Sequence, residues 1–297
     1  MNYSIKSNLL FASLLVLIFI MSCNKDESSE TLRKYRLAKI TLVFKYSTEP
    51  DTSISRLFYT NTGLLHKIET NRELTAECSY SDGKLVKLSI FDENHVETNY
   101  RSYSWSGNVI TIEYSDIRDY KSIIHLNSDG EVILAESFYK IDGEWIKESY
   151  FNYEWDNGNL LKLESYQLRD EYKAKSPAKK SNNPIFTNLS TEQVCFSLRS
   201  PAARLEYNKV YEMKYTFDDK FNPYADFQYS QISHYPVSHS KNNILTFTLS
   251  HFYEDGSSRD EVIRYSYQYN QKLYPENITE YDPQYENPIL IRMEYEE

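Results

Sequence analysis

The chain has 297 residues, enough for one large or two modest domains, and a formal net charge of −10 from 33 basic and 43 acidic side chains. An acidic chain without a domain-wide basic patch is not expected to bind nucleic acid. Tyrosine is abundant, with 28 residues, whereas glycine is scarce, with 7. Because tyrosine is enriched in strands, this composition predicts an all-β fold.

The first residues have the pattern of a secretory signal. An almost unbroken apolar run extends from Leu9 to Met21, shorter than the about 20 apolar residues that a transmembrane helix needs. The run ends at Ser22 and Cys23, a small residue before a cysteine, which resembles a bacterial lipobox. The pattern predicts a signal peptide over residues 1–22 and lipid attachment at Cys23.

Residues 23–34 are polar and contain neither glycine nor an aromatic side chain, which is typical of a flexible tether. Lys25, followed by two acids, resembles the surface-export signal of Bacteroidetes lipoproteins. Two or more acyl chains hold a protein on a membrane. We therefore expect an outer-membrane protein with a lipid anchor at Cys23, facing the cell surface.

One sequence unit recurs along the chain. The unit consists of an aromatic or apolar stretch, a polar Asx or Ser pair, a glycine and then a strand of alternating apolar residues. The dipeptides Asp-Gly and Asn-Gly are typical of tight hairpin turns, so the unit predicts a β-hairpin. The unit surrounds Gly63, Gly83, Gly107, Gly130 and Gly158. Gly143 and Gly256 also follow aspartates, and we expect both to be hairpin tips.

Alternation of side chains supports strands. Apolar residues share one face of a strand in two sets, Ile40, Leu42 and Phe44, and Leu245, Phe247 and Leu249. The residues between them are mostly polar, as in an antiparallel sheet with one buried face. Consecutive hairpins of this kind build a meander.

Two segments interrupt this pattern. Residues 171–186 hold four lysines and two prolines, and we expect a solvated loop or linker there, although the charge could also contact an anionic partner. Ser190 and Gln193 have the spacing of a capping box and predict one short helix.

The two remaining cysteines, Cys78 and Cys195, could form a disulfide in an oxidising compartment or remain buried thiols.

The chain resembles a family of Bacteroidetes outer-membrane lipoproteins built from YD-type, RHS-like β-hairpin repeats. The residues that carry the resemblance are the units YSDGKLVKL and YEWDNGNLLKLES, then YTFDDKFNPYADF, SKNNILTFT and YSYQYNQKLYPENITEY. The resemblance covers most of residues 35–297, and it implies no activity and no catalytic residue. It implies a single domain built from one strongly curved antiparallel meander sheet, closed or nearly closed as a barrel or β-clam.

Closure of the sheet is also physically favourable, because an open meander leaves two unpaired edge strands that promote aggregation. A transmembrane barrel would show the same alternation of side chains. The predicted lipid anchor, the polar composition and the C-terminal MEYEE, which lacks a terminal phenylalanine, argue against one. We therefore expect a barrel that does not span the membrane.

The sequence shows no signature of catalysis or of a cofactor. It contains no nucleophile elbow, no phosphate loop and no His-Glu-x-x-His spacing, and the most suggestive histidines, His234, His239 and His251, lie on different elements. Acidic pairs such as Asp218 and Asp219 are at predicted turns. We predict no catalytic residue, no metal site and no cofactor.

Aromatic side chains are the candidate ligand-binding residues. Tyr103 and Trp105 share one strand face, Tyr153 and Trp155 share another, and Trp145 is nearby in sequence. If such a face is exposed, flat rings could stack on sugars or pack against a protein. The alternative is that these rings form the hydrophobic core.

These observations favour a surface-tethered lipoprotein that binds a glycan or a protein and is not an enzyme. One alternative is a hydrolase of polysaccharides or peptides that uses carboxylates in a barrel mouth. Another is a structural role in the envelope.

Overall fold

The computed structural model describes residues 36–44, 51–168, 206–225, 239–253, 255–283 and 287–296. The predicted signal peptide, Cys23, the tether, the loop at 171–186, the short helix after Ser190 and Cys195 all lie outside these ranges. Within them there is no α-helix, so none that could cross a membrane. The 16 strands are β1 (Arg36–Phe44), β2 (Asp51–Tyr59), β3 (Leu65–Thr70), β4 (Glu73–Ser81), β5 (Lys84–Phe91), β6 (Glu97–Ser106), β7 (Val109–Tyr114), β8 (Tyr120–Leu126), β9 (Val132–Ile141), β10 (Glu144–Asp156), β11 (Asn159–Leu168), β12 (Tyr207–Phe221), β13 (Asn242–Phe252), β14 (Ser258–Tyr269), β15 (Pro275–Tyr281) and β16 (Ile289–Glu296).

The strands form one closed antiparallel barrel. Each strand pairs with its neighbours in the chain, and β1 pairs with β16 to close the sheet, with Ile40 opposite Met293 and Leu42 opposite Ile291. The prediction of an all-β meander, closed or nearly closed, is confirmed.

Because successive strands run in opposite directions, the turns fall into two sets at opposite ends of the barrel. The turns that follow even-numbered strands contain all five glycines of the repeated unit, and we call this end the glycine end. The turns that follow odd-numbered strands, with Gly143 and Gly256, lie at the opposite end. Asp142 and Gly143 have φ of 51° and 90°, a left-handed pair that matches the twist of a tight hairpin.

The apolar face of the sheet lines the barrel interior. Ile40, Leu42 and Phe44 are buried as the alternation predicted, and Ile110 and Leu160 have no exposed surface. The placement predicted for Leu245 is wrong: its side chain is 37% exposed. A bulge in the pairing of β12 with β13 shifts the alternation, and Ile244 lies opposite Phe217 and packs on the core instead.

Six aromatic residues, the bridging aromatics, each join one even-numbered strand to the strand before it. Each lies on an even-numbered strand near the glycine end, and its hydroxyl or indole N–H donates to a backbone carbonyl of the preceding strand. The pairs are Tyr59 to Leu37, Tyr80 to Leu65, Trp105 to Leu85, Trp155 to Val132, Tyr267 to Ile244 and Tyr295 to Pro275, at 2.6–2.9 Å. The aromatic residue of the repeated unit thus buries its ring and satisfies its polar atom within the fold.

The outer wall is charged. Lys87 contacts Glu97 at 2.8 Å, Lys162 contacts Glu154 at 2.8 Å, and Lys209 lies between Glu164 and Glu212. A transmembrane barrel has the reverse arrangement, with an apolar band facing lipid and a polar interior. The distribution supports the expectation that this barrel does not span the membrane.

Candidate functional site

The structure separates the five aromatic residues proposed for ligand binding. Tyr103 and Tyr153 are buried in the core, 5% and 9% exposed. Trp105 and Trp155 pack against the core, and their indole N–H groups donate to the carbonyls of Leu85 and Val132. These four side chains therefore belong to the interior, as the alternative interpretation had it, and they form no exposed platform.

Trp145 is different, because it lies on the outer wall near the opposite end and is 39% exposed. The ammonium group of Lys121 lies over its ring, 4.2 Å from the ring centroid, and the ammonium group of Lys140 lies 5.7 Å from it. The Lys121 ammonium is also 5.7 Å from the ring centroid of Phe138. Cation–π attraction holds these lysines beside the indole.

A cleft of about 500 Å³ opens beside Trp145 at the rim of the opposite end. One wall is the β7–β8 turn, residues 115–119, and the other is formed by Lys140 and Trp145 from the β9–β10 hairpin. The backbone N–H of Lys140 donates to the carbonyl of Asp119 at 2.8 Å, which fixes the two walls to each other. The complete lining is Glu113, Tyr114, Ser115, Ile117, Arg118, Asp119, Tyr120, Lys140 and Trp145.

Inward-facing tyrosines form the lower part of this cleft. The rings of Tyr114 and Tyr120 are 5.2 Å apart, and Tyr120 also contacts Tyr139 at 4.9 Å. The hydroxyl of Tyr114 is 3.1 Å from that of Ser122. Burial raises the pKa of Tyr114 and of Tyr120, so both hydroxyls remain protonated, and they hydrogen-bond to the interior residues Ser122 and Ser137.

The register of the β9–β10 hairpin brings Lys140 to Trp145. Its two turn residues, Asp142 and Gly143, place Ile141 opposite Glu144 and therefore Lys140 opposite Trp145. This contact could have been predicted from the Asp-Gly turn. Lys121 could not, because it lies on β8, two strands from Trp145.

The cations at the cleft differ from those of the outer wall. Lys147, Lys162, Lys209 and Lys214 each contact a carboxylate. Within the described ranges, Lys121, Lys140 and Arg118 have no carboxylate oxygen within 4.0 Å. The positive charge at the cleft is thus available to a ligand.

The aspartate-rich motif of the second half has a structural role at the glycine end. The carboxylate of Asp218 accepts hydrogen bonds from the hydroxyl of Tyr269, from the backbone N–H of Lys220 at 2.9 Å and from that of Asn243 at 3.1 Å. This network satisfies backbone donors where β12 and β13 depart from regular pairing. These residues join three strands, which accounts for their presence without a catalytic role.

Glu280 is a partly buried acid that faces the barrel interior. It lies opposite Tyr265 of β14 and Ile289 of β16. Burial, and secondarily the charge of Asp282, raises its pKa to about 7. Sequence alone gave no sign of this residue, because its inward orientation depends on the register of β15.

The described residues offer no metal site, since no three His, Cys, Asp or Glu side chains come together. His234 lies outside these residues, and His239 and His251 are at opposite ends of the barrel. Burial lowers the pKa of His239 to about 4 and raises that of Cys78 to about 12. The Cys78 thiol is therefore protonated and poorly nucleophilic at neutral pH, and its partnership with Cys195 stays untested.

The fold and the cleft define a closed antiparallel β-barrel with a candidate ligand-binding site on one rim. No protein-family model matches the chain, and no curated protein matches it. Among solved structures, a porin-like protein from Bacteroides vulgatus ATCC 8482 matches with a TM-score of 0.46 and 10% identity, over 88% of this chain and 99% of that one.

A second porin-like protein, from Bacteroides uniformis ATCC 8492, matches with a TM-score of 0.35 and 11% identity, over 88% of this chain and 98% of that one. The structure of TcdB2-TccC3 matches with a TM-score of 0.28 and 12% identity, over 80% of this chain but 12% of that one. At these identities and TM-scores, the likenesses identify no function and no ligand for this chain. Membership of the repeat family that the sequence resembles stays a prediction.

Proposed function

We propose that this protein is a lipid-anchored binding protein of the bacterial outer membrane that holds a glycan in the rim cleft beside Trp145. The observation that carries the proposal is an exposed indole at the edge of an open cleft lined with hydrogen-bonding side chains. Flat rings with polar groups around them are suited to sugars, which present C–H faces and hydroxyl edges.

A glycan is favoured over a protein partner by the rest of the outer surface. The exposed large apolar side chains of the described residues are spread over most of the barrel; examples are Phe58 on β2, Leu161 on β11 and Tyr281 on β15. A protein interface needs a contiguous buried core, whereas scattered apolar residues are normal on a surface.

The position of the predicted anchor also supports this function. Strand β1 starts at Arg36 at the glycine end, 13 residues after Cys23. A segment of that length spans at most about 45 Å when fully extended. Attachment at this end favours an orientation with the glycine end toward the membrane and the rim cleft away from it.

The test is binding of the detergent-solubilised, lipidated full-length protein to a glycan array, followed by titration calorimetry with the polysaccharides that bind. We expect Trp145→Ala to weaken binding at least about tenfold, since stacked aromatic side chains dominate such contacts. Tyr281→Ala is the matched control, because Tyr281 is an exposed aromatic residue, 50% exposed, on the outer wall of another strand.

Retained glycan binding in Trp145→Ala would show that the site lies elsewhere. A protein recovered from cross-linked outer membranes and lost in Trp145→Ala, with no glycan bound, would replace the glycan by a protein partner. Cleavage of a bound polysaccharide would make the protein a hydrolase. Replacement of Cys23 by Ala should release the protein from the membrane.

A further inference from the structure

We propose that the ligand of the rim cleft is an acidic polysaccharide, whose carboxylate or sulfate groups bind Lys121, Lys140 and Arg118. This inference rests on the proposed function and adds the chemical class of the glycan. Its basis is the position of the two ammonium groups relative to Trp145 and the absence of carboxylate partners for these three cations among the described residues.

The first step is that the ammonium group of Lys121 already occupies one face of the Trp145 indole. Lys121 holds its ammonium 4.2 Å from the ring centroid of Trp145. A neutral sugar that stacked on this face would have to displace the charge. A carboxylate or sulfate instead binds to the ammonium where it already lies, since a lysine ammonium retains donors for an anion.

The second step is that Lys121 is positioned before the ligand arrives. Its side chain extends between Phe138 and Trp145, with ring centroids 5.7 Å and 4.2 Å from the ammonium. In the pairing of β7 with β8, Glu113 lies opposite Lys121, but no ion pair joins these two described residues. Ordering the lysine in advance lowers the entropic cost of binding an anion.

The third step concerns the local charge. The chain has a formal net charge of −10, so long-range attraction does not bring anions to it in general. In the cleft lining, Arg118 and Lys140 balance the two carboxylates of Glu113 and Asp119, and Lys121 adds a third cation beside the lining, over the ring of Trp145. An anion would therefore be recognised by direct bonds to these individual cations and not by a local excess of positive charge.

The lining carboxylates favour an acidic sugar over a simple anion. Glu113 and Asp119 are acceptors that would repel free phosphate or sulfate. A sugar bearing both an acidic group and hydroxyls satisfies both kinds of side chain, because its hydroxyls donate to the carboxylates while its anion accepts from the cations. Uronate and sulfate ester are two sources of the same chemistry.

The experiment measures binding of the full-length protein in detergent to polygalacturonate, dextran sulfate and neutral dextran by calorimetry at low and raised ionic strength. The test variant is Lys121→Gln with Lys140→Gln. The matched control is Lys162→Gln with Lys214→Gln, two outer-wall lysines that contact carboxylates. Circular dichroism and thermal unfolding verify that both double variants are folded.

We expect at least one acidic polymer to bind and dextran not to bind. The test variant should weaken binding at least about tenfold, and the control variant should leave it within about twofold. Raised ionic strength should weaken binding by the wild type more than by the test variant. Polygalacturonate and dextran sulfate separate a uronate from a sulfate ligand.

Three outcomes would overturn the inference. Binding of neutral glycans that depends on Trp145 but not on the lysines would refute the acidic class and leave the proposed function intact. Equal losses in the two double variants would mean nonspecific charge attraction. Failure of every polysaccharide to bind would reject both the inference and the proposed glycan ligand.

Discussion

The two ends of the barrel are built from different kinds of residue. At the glycine end, bridging aromatics such as Trp155 and Tyr80 bury their rings and bond to backbone carbonyls, and Asp218 satisfies the irregular junction of β12 and β13. At the opposite end, Trp145 is exposed, and the cations near it have no carboxylate partner among the described residues.

This difference shows that an aromatic residue has a role set by its position in the hairpin. Trp145 and Trp155 are ten residues apart on the same strand, yet one faces solvent and the other the interior. We infer that the glycine end maintains the fold and that the opposite end is free to vary in side-chain chemistry. The predictions below test this division.

The largest expected effect is on stability at the glycine end. Trp155→Ala should lower the free energy of unfolding by about 4 kcal/mol, because it empties space beside His239 and leaves the Val132 carbonyl without its indole donor. Trp145→Ala should change it by less than about 0.5 kcal/mol. Urea unfolding followed by circular dichroism measures both, and similar losses would abolish the distinction between the two ends.

The next effect concerns the partly buried acid at Glu280. Its pKa is about 7 when folded and near the ordinary 4.5 when unfolded. Between these values the folded state retains a proton that the unfolded state has released, so stability should fall as pH rises from 4.5 through 7. Glu280→Gln should therefore stabilise the protein by up to about 3 kcal/mol at pH 8 and change little at pH 4.

Thermal unfolding across this pH range checks the prediction for Glu280. The partner groups to consider are Tyr265, which lies opposite on β14, and Asp282, whose charge also raises the pKa. Asp282→Asn should give a smaller shift in the same direction. A gain in stability that is independent of pH would indicate altered packing instead of removal of a buried charge.

A smaller loss is expected when one bridging aromatic keeps its ring but loses its donor. Tyr80→Phe removes the hydroxyl that donates to the Leu65 carbonyl at 2.7 Å. The loss should be about 1–2 kcal/mol, the cost of an unpaired polar group away from water. Tyr281→Phe, on the outer wall, is the control and should be neutral; if the two variants behave alike, the hydrogen bond contributes nothing.

The smallest expected change in stability is at the β9–β10 turn, which positions Lys140 and Trp145 at the cleft. Gly143 has φ of 90°, and a Cβ added there would meet no atom within 4 Å, so Gly143→Ala is strained only in its backbone. We expect a loss of about 1 kcal/mol and weaker glycan binding, since the turn places Lys140 opposite Trp145. Gly143→Asn should lose less, because asparagine adopts this conformation more readily.

Much of the fold was predictable, because hairpins are local. The Asp-Gly and Asn-Gly turns predicted the hairpins at Gly83, Gly143 and Gly158, and alternation identified the inward face of β1. The side on which Leu245 lies was not predictable, because the bulge opposite Phe217 arises from the pairing of two strands.

The candidate site was predictable only in part. Trp145 was among the proposed residues, but the same reasoning included Tyr103, Trp105, Tyr153 and Trp155, which are interior. The alternation of side chains shows which residues share a face of a strand. It does not show whether an aromatic face points to the barrel interior or to solvent, because that depends on how the sheet curves. Lys121 joins Trp145 across two strands, and no local rule connects them.

The seam between β1 and β16 has a consequence for how the chain folds. Arg36 pairs with Glu296, and Lys39 contacts Glu294 at 2.6 Å, so the barrel closes only when the two ends of the described chain meet. The hairpins join neighbours in sequence and can form early, within microseconds, whereas the seam must form last. Until it does, two unpaired strand edges are exposed. A molecule lacking its final strand would retain the hairpins yet leave β1 and β15 as free edges, which would tend to pair with the edges of another copy.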